Sequence, residues 1–480
     1  MSTPDSSVNN SAPTPHGSAP VPKGDPATCP VAHGGALHPS ESTDWGPNRR
    51  SRIPGRVFAT WACGYGFTRW FLHLGARRGD LLARLVVDPQ LRADPYATYD
   101  EVRKRGPVFD GRYISATTRY KAANHILRSD AFGVAGGTGG LPAPVGRLLD
   151  RVAEPGALGP LSPPSMLAID PPEHTRNRRR VSRVFTPRAV ARLESSVQRV
   201  ADDLIDRIVA SGASEFDLVE RYASQLPVAV ISDILGVPQD MRQRVLQWGD
   251  HAAVTLDPDL AWRTYRDAEH DLRAMYAWFD EHAAYLRQHP GEDLLSELAQ
   301  LEGEDRLDDD EMRATGLLVL GAGFETTVNL ISNAVALLDA HPDQLAKARG
   351  DDLWDNAVEE VLRYESPVQL TLREAYEDTD VEGVRVPKGR AILVMLAGAN
   401  RDPEIFTDPH RFDVARSNAG DHLAFSSGVH YCLGASLARM EATVGLRTLY
   451  ERLPDLRLSG RPVRKPTRVL RGYERLPVAA

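Results

Sequence analysis

Cys432 lies in the turn Phe425-Ser426-Ser427-Gly428-Val429-His430-Tyr431-Cys432-Leu433-Gly434, directly ahead of a helical pattern from Ala435 to Leu446. The N-terminus of a helix favours negative charge and lowers the pKa of a thiol, so this placement predicts a thiolate. Gly428 and Gly434 let the backbone come close to whatever the sulfur holds. A thiolate presented this way is a metal ligand. A lone cysteine without such a setting is more often a small buried hydrophobe, and other segments have to decide between the two.

Three other groups carry chemistry at short spacing. His174 and Arg178 share one face of a helix that opens at Pro171-Pro172, and together they can meet a pair of carboxylates. The plainer reading is a solvated basic face, since Arg176, Arg179, Arg180 and Arg183 surround them. In Gly321-Ala322-Gly323-Phe324-Glu325-Thr326-Thr327, small residues interrupt a long helical run from Asp308 to Leu338. Each mid-helix glycine costs roughly 1 kcal/mol, so a flat group passing Ala322 and Gly323 would account for them, although a packing glycine would too. Thr326 can bond back to the Ala322 carbonyl and open the helix locally. Glu325 beside Thr326 forms an acid–alcohol pair able to relay protons. Finally, Glu360 and Arg363 are three residues apart on a helix and can pair.

The order of these segments resembles the cytochromes P450 of the soluble bacterial type. The resemblance runs over roughly residues 94–478. It implies a mainly α fold with small β-sheets around a buried b-type haem. It implies Cys432 as the iron ligand, with Phe425, His430 and Gly434 in the haem loop. Ala322 and Gly323 would lie along the haem, with Glu325 and Thr326 delivering protons. His174, Arg178, Arg373 and His430 would neutralise the propionates. Glu360, Arg363 and Arg411 would form a structural triad that holds the cysteine loop. The implied activity is insertion of one oxygen atom from O2 into an apolar small molecule. Electrons would come from a ferredoxin or flavodoxin and an NAD(P)H-dependent reductase, since no flavin or iron–sulfur motif is evident. Arg439 and Arg176, Arg179 or Arg180 would be docking charges. The alternatives are a peroxide-using haem-thiolate enzyme, whose relatives usually lack the acid–alcohol pair, and a haem sensor. Ser426 departs from the pattern, standing where the family usually has glycine.

Composition agrees with a soluble globular enzyme: 42% hydrophobic and 25% charged residues over 480 positions. The net charge of −8 argues against a general nucleic-acid binder. Three widely spaced cysteines, Cys29, Cys63 and Cys432, suggest neither a disulfide framework nor a zinc site, and with no signal-peptide pattern at the start the expectation is a cytoplasmic protein. Residues 1–50 are rich in Ser, Pro and Gly and are expected to be a disordered extension. Residues 51–93 are basic and aromatic. Their apolar stretch falls short of the roughly 20 residues of a membrane span, and they are expected to pack on the body or near a substrate entrance rather than lie on a membrane surface. By the resemblance, residues 94–480 are expected to form the catalytic domain. Within it, residues 133–165 read as a long functional loop in which Leu141, Val145, Leu148 and Leu149 can line a pocket. Residues 187–300 read as amphipathic helices forming a variable lid.

Overall fold

The longest helix runs from Asp309 to Ala340 and starts where its sequence says it should. The Asp308 carboxylate accepts the Glu311 N–H at 2.7 Å, and the Glu311 carboxylate accepts the Asp308 N–H at 3.2 Å, a reciprocal cap. Its 32 residues span about 48 Å. By length and apolarity this helix could cross a bilayer, yet 72% of its most apolar window is buried inside the protein, as in a core helix. The computed structural model describes residues 55–112, 114–134, 160–303 and 306–480. The expected extension at 1–50 and most of the loop at 133–165, including Leu141, Val145, Leu148 and Leu149, fall outside these.

Helices surround the central one. Gln225–Leu235, Arg242–Val254 and Ala435–Arg452 pack along its flanks, and Trp354–Tyr364 lies beside it and beside Ala435–Arg452. Trp248, Trp278, Phe279 and Phe324 are fully buried among them. The sheets are small. The largest has five strands in the order Phe109–Asp110, Ser115–Thr117, Ala391–Val394, Thr371–Ala375, Phe132–Gly133. Ser115–Thr117 and Ala391–Val394 pair in parallel, and the other neighbours are antiparallel. Near the C-terminus, Val463–Arg464 pairs with Tyr473–Arg475 at the base of a hairpin.

The basic, aromatic N-terminal segment is a helical rod from Gly55 to Arg77 with a π-helical turn at Ala62–Gly66. It packs on the body. Trp61 Nε1 donates to the Leu260 carbonyl at 3.0 Å, the Tyr65 hydroxyl to the Thr255 carbonyl at 3.0 Å, and Arg69 to the Asp259 carbonyl at 2.7 Å. These contacts hold the connector between helices Arg242–Val254 and Trp262–Gln288. The same connector is tied to the C-terminal hairpin, because the Asp257 carboxylate accepts the Arg468 and Val469 N–H groups at 2.9–3.0 Å.

A buried ion cluster fixes the helix Trp354–Tyr364. Arg363 grips Glu360 with two bonds of 2.7 and 2.8 Å, and both side chains are completely buried. The second arginine is Arg416, whose Nε lies 3.2 Å from each Glu360 oxygen. The expected third member, Arg411, is displaced from that role: its side chain is 65% exposed, 3.8 Å from Asp413. The reason is the path of the chain. Residues 407–413 curl with their carbonyls inward, so that Thr407, Asp408 and Arg411 offer backbone oxygens to Arg416, and Pro409 and Arg411 to Arg363. The Arg411 side chain is thereby turned to solvent. Removing one partner of a buried ion cluster costs about 3 kcal/mol, whereas an exposed arginine changes stability by about 0.5 kcal/mol or less. Arg416→Leu should therefore lower the denaturation midpoint clearly and Arg411→Ala should leave it nearly unchanged; urea titrations of both variants check this.

Candidate active site

The cysteine loop is clamped before its helix begins. The Cys432 N–H donates to the Phe425 carbonyl at 2.9 Å, closing the loop. Gly428 has a φ of +70°, and a Cβ there would sit 2.2 Å from the Leu127 carbonyl oxygen, so this position needs glycine for its conformation and for the close approach of the helix Tyr120–Arg128. Ser426 also takes a left-handed φ, +63°, and its buried hydroxyl has no hydrogen-bond partner. The serine thus holds the glycine conformation of this position without its hydroxyl bonding into the loop.

Beneath Phe425 lies a second clamp. The Arg439 guanidinium stacks 4.5 Å from the Phe425 ring and pairs with Glu359, which His422 Nε2 also approaches at 3.0 Å. Burial pushes Glu359 upward, but the bonds from His422 and Arg439 outweigh it and hold its carboxyl down at about 2. Arg439, expected as a docking charge, is therefore a structural member of the loop. Of the other expected docking charges, Arg179 is exposed, Arg176 is about half exposed and only Arg180 turns inward. The Arg180 side chain is buried 3.9 Å from Glu311, and Arg176 pairs with the same carboxylate. Glu311 carries a cap and a buried charge, and both are compensated by the arginines one helix away.

Opposed influences act on the thiol. Burial pushes the Cys432 thiol up, against the opposing Gly434 N–H and the Arg178 and Arg439 charges. By its exposed surface Cys432 is only partly buried, and an iron ion at the sulfur would favour the thiolate.

Around it, four basic side chains from three elements converge: His174 and Arg178 from the helix Glu173–Val181, Arg373 from the strand Thr371–Ala375, and His430 from the cysteine loop. The His174 and His430 rings are 4.3 Å apart. Burial, then His430 and Arg178, push His174 down to about 4. Burial, then Arg373, push His430 down as well. Arg178 donates to the Tyr431 carbonyl at 2.7 Å, and Arg373 bonds only to the Thr371 hydroxyl and the Leu372 carbonyl. Among the described residues a single carboxylate faces the group: Asp170, 3.4 Å from His430 and also bonded to the Tyr376 hydroxyl. The buried His174 Nδ1 has no partner. Such a surplus of basic groups over one acid, with an orphaned buried nitrogen, suits a ligand bearing two carboxylates.

On the long helix, Ala322 is exposed between buried turns, and the Thr326 hydroxyl donates back to its carbonyl at 2.9 Å. Ala322 and Thr326 share this open face. A Cβ on Gly321 or on Gly434 would meet nothing within 4 Å, so there is room for a flat group on the helix side and on the loop side. Gly323, expected along the cofactor, faces elsewhere: a Cβ there would press on Ile231 at 2.9 Å. One residue on from Ala322, it is rotated away from the open face and serves the packing of helix Gln225–Leu235.

Glu325 is buried and has acquired a partner that sequence spacing does not show. Lys465, from the turn of the C-terminal hairpin, reaches both of its oxygens at 2.7 and 2.9 Å and also reaches Asp250 at 3.3 Å. Asn329 donates to it at 3.3 Å. Burial pushes the Glu325 carboxyl up to about 7, with Lys465 opposing. Lys465, nearly buried itself, joins this acid to Asp250, which is half exposed on helix Arg242–Val254.

A model of the family described as Cytochrome P450 matches residues 163–351 and 352–454. This chain belongs to the cytochrome P450 family. A Mycobacterium tuberculosis protein named as a cytochrome P450 140 is 48% identical over 423 residues, covering 87% of this chain and 96% of its own. Cytochrome P450 monooxygenase PikC of Streptomyces venezuelae is 40% identical, covering 80% and 91%. Among solved structures, ligand-free CYP164A2 of Mycobacterium smegmatis superposes with a TM-score of 0.75 at 36% identity, over 83% of this chain and 99% of that one. The expected mainly α fold with small sheets is thus the P450 fold, and the chain is a P450 monooxygenase of a haem-binding family. The donor set around Cys432 fits that group: a thiol at the loop, open space at Gly321 and Gly434, and basic groups for two carboxylates.

Two outcomes follow. A non-glycine residue in the left-handed region costs roughly 1 kcal/mol, so Ser426→Gly should stabilise the protein by about that amount, read as a raised denaturation midpoint. Lys465→Met removes the cation that opposes the burial of Glu325, so the carboxyl should rise above about 7. The ionised form then requires higher pH, and any rate that depends on it should shift its acid limb to the alkaline side. A pH profile of substrate-dependent oxygen use checks this.

Proposed function

We propose that this P450 is a haem b monooxygenase that inserts one atom of O2 into an apolar small molecule, with Cys432 as the thiolate ligand. In the P450 family the bound haem supplies the iron centre at which oxygen is activated, with electron donation from the thiolate. The protein's own residues do the rest. His174, Arg178, Arg373 and His430 bind the propionates and orient the ring. The Phe425–Cys432 bond and the Arg439–Glu359 clamp hold the sulfur in place. Thr326 holds a proton at its hydroxyl on the open face of the long helix, and Glu325 resupplies it from solvent by way of Asp250.

The observation that carries this reading is the Glu325 environment. A buried carboxyl that desolvation pushes up, next in sequence to a hydroxyl on the open helix face and linked through Lys465 to a half-exposed acid, supports a proton route. Oxygen-using chemistry needs such a route, and peroxide-using chemistry does not. Electrons are proposed to come from a ferredoxin or flavodoxin with an NAD(P)H-dependent reductase, in the cytoplasm. With Arg439 and Arg180 committed to internal pairs, exposed cations on helix Tyr120–Arg128, which packs against the cysteine loop, join the exposed Arg176 and Arg179 as candidates for docking. Lys121, His125 and Arg128 line a cleft there, and an acidic carrier would suit it.

Turnover under ¹⁸O2 with a ferredoxin system tests the proposal: the label should enter the product. Thr326→Ala should keep consuming oxygen while product per oxygen falls by roughly tenfold or more. Unchanged coupling in that variant would remove Thr326 from the proton route.

A further inference from the structure

The N-terminal rod is amphipathic in a way that its packing on the body does not use up. Its inner face is spent on the body through Val57, Trp61, Tyr65 and Arg69. Its outer face is not. Phe58 and Trp70 are 50% and 60% exposed, the largest exposures of any large hydrophobic residue but one among the described residues. They are not isolated. Trp70 meets Phe67 in a tilted pair at 6.0 Å, and Phe67 stacks with Phe71 at 6.3 Å, while Phe58 meets Trp61 at 5.5 Å and Trp262 at 5.0 Å. Aromatic side chains thus run along the solvent side of a 23-residue helical rod, from Gly55 to Arg77.

Its charge is one-sided as well. Between Trp45 and Gly79 there is no Asp or Glu, and there are seven arginines: Arg49, Arg50, Arg52, Arg56, Arg69, Arg77 and Arg78. Arg56, Arg77 and Arg78 are exposed at the two ends of the rod. The whole chain carries −8, so this segment opposes the rest of the molecule. Exposed aromatic residues in line, flanked by arginines and free of acids, match a helix that lies in a lipid–water interface, its rings among the headgroups and its cations on anionic phosphates.

We propose that this face docks the protein onto an anionic lipid surface. The rod lies flat and does not span, and the catalytic body stays in water. The interaction is independent of the haem chemistry, because none of these residues belongs to the site built around Cys432.

The test uses the full chain and large unilamellar vesicles of phosphatidylcholine, with and without 30% phosphatidylglycerol (about one anionic lipid in three). The protein should co-sediment with the anionic vesicles, and roughly tenfold less with the neutral ones or in high salt. The double variant Phe58→Ser, Trp70→Ser should lose about tenfold of the anionic binding while keeping its far-ultraviolet circular dichroism and thermal midpoint. A charge variant, Arg77→Glu with Arg78→Glu, should lose binding to anionic vesicles in the same way. Equal sedimentation of the wild type and the aromatic variant would overturn the proposal. So would a wild type that fails to sediment but elutes as a dimer that the aromatic variant breaks, since the face would then be an interface between copies of the chain.

Discussion

Charge buried out of water has to be compensated in place, and the molecule is arranged around that constraint. Glu360, Arg363 and Arg416 are almost wholly dehydrated. Such a cluster is stable only with good geometry and further hydrogen bonds to its remaining donors. Those bonds come from backbone carbonyls of Asn400, Thr407, Asp408, Pro409 and Arg411, so the cluster dictates the path of the irregular segment that leads to the cysteine loop. The Glu359–His422–Arg439 group does the same one residue earlier, directly under Phe425. Two adjacent glutamates on one helix thereby fasten the segment before the loop and the helix after it.

The same rule operates on the other side of the site. Glu325 is buried in the middle of the long helix and is compensated from the far end of the chain by Lys465. The hairpin that carries Lys465 is held to the connector at Asp257, and the connector is covered by the N-terminal rod. The last part of the chain therefore reaches the acid proposed to feed protons, and the first part braces the connector behind it. Its environment is sensitive to whether the helix Arg242–Val254, which carries Asp250, stays in place.

Much of this was legible in the sequence, and the boundary has a physical basis. The long helix announced itself through Asp308 and Glu311, and Thr326 found its Ala322 carbonyl because both lie on one helical turn. His174, Arg178 and His430 could be read because each sits beside a strong local motif. The partners that only folding brings together could not: Arg416, Lys465, Asp250 and Asp170 have no local signal. Arg411 was misassigned because a neighbour five residues away can replace a side chain when the backbone between them curls. Gly323 was misassigned because one residue of helix rotation separates the open face from the packed one. At Cys432 the helix terminus is visible in the sequence, whereas the opposing burial of the sulfur is not.

The central claim is that Cys432 presents its sulfur to haem iron within this cage. The most direct measurement is the absorption spectrum of the haem-loaded, reduced protein under carbon monoxide, for the wild type and for Cys432→His. The account predicts the long-wavelength Soret band of a thiolate-ligated adduct in the wild type and a shorter-wavelength, imidazole-type band in the variant. Identical spectra from the two proteins would contradict it.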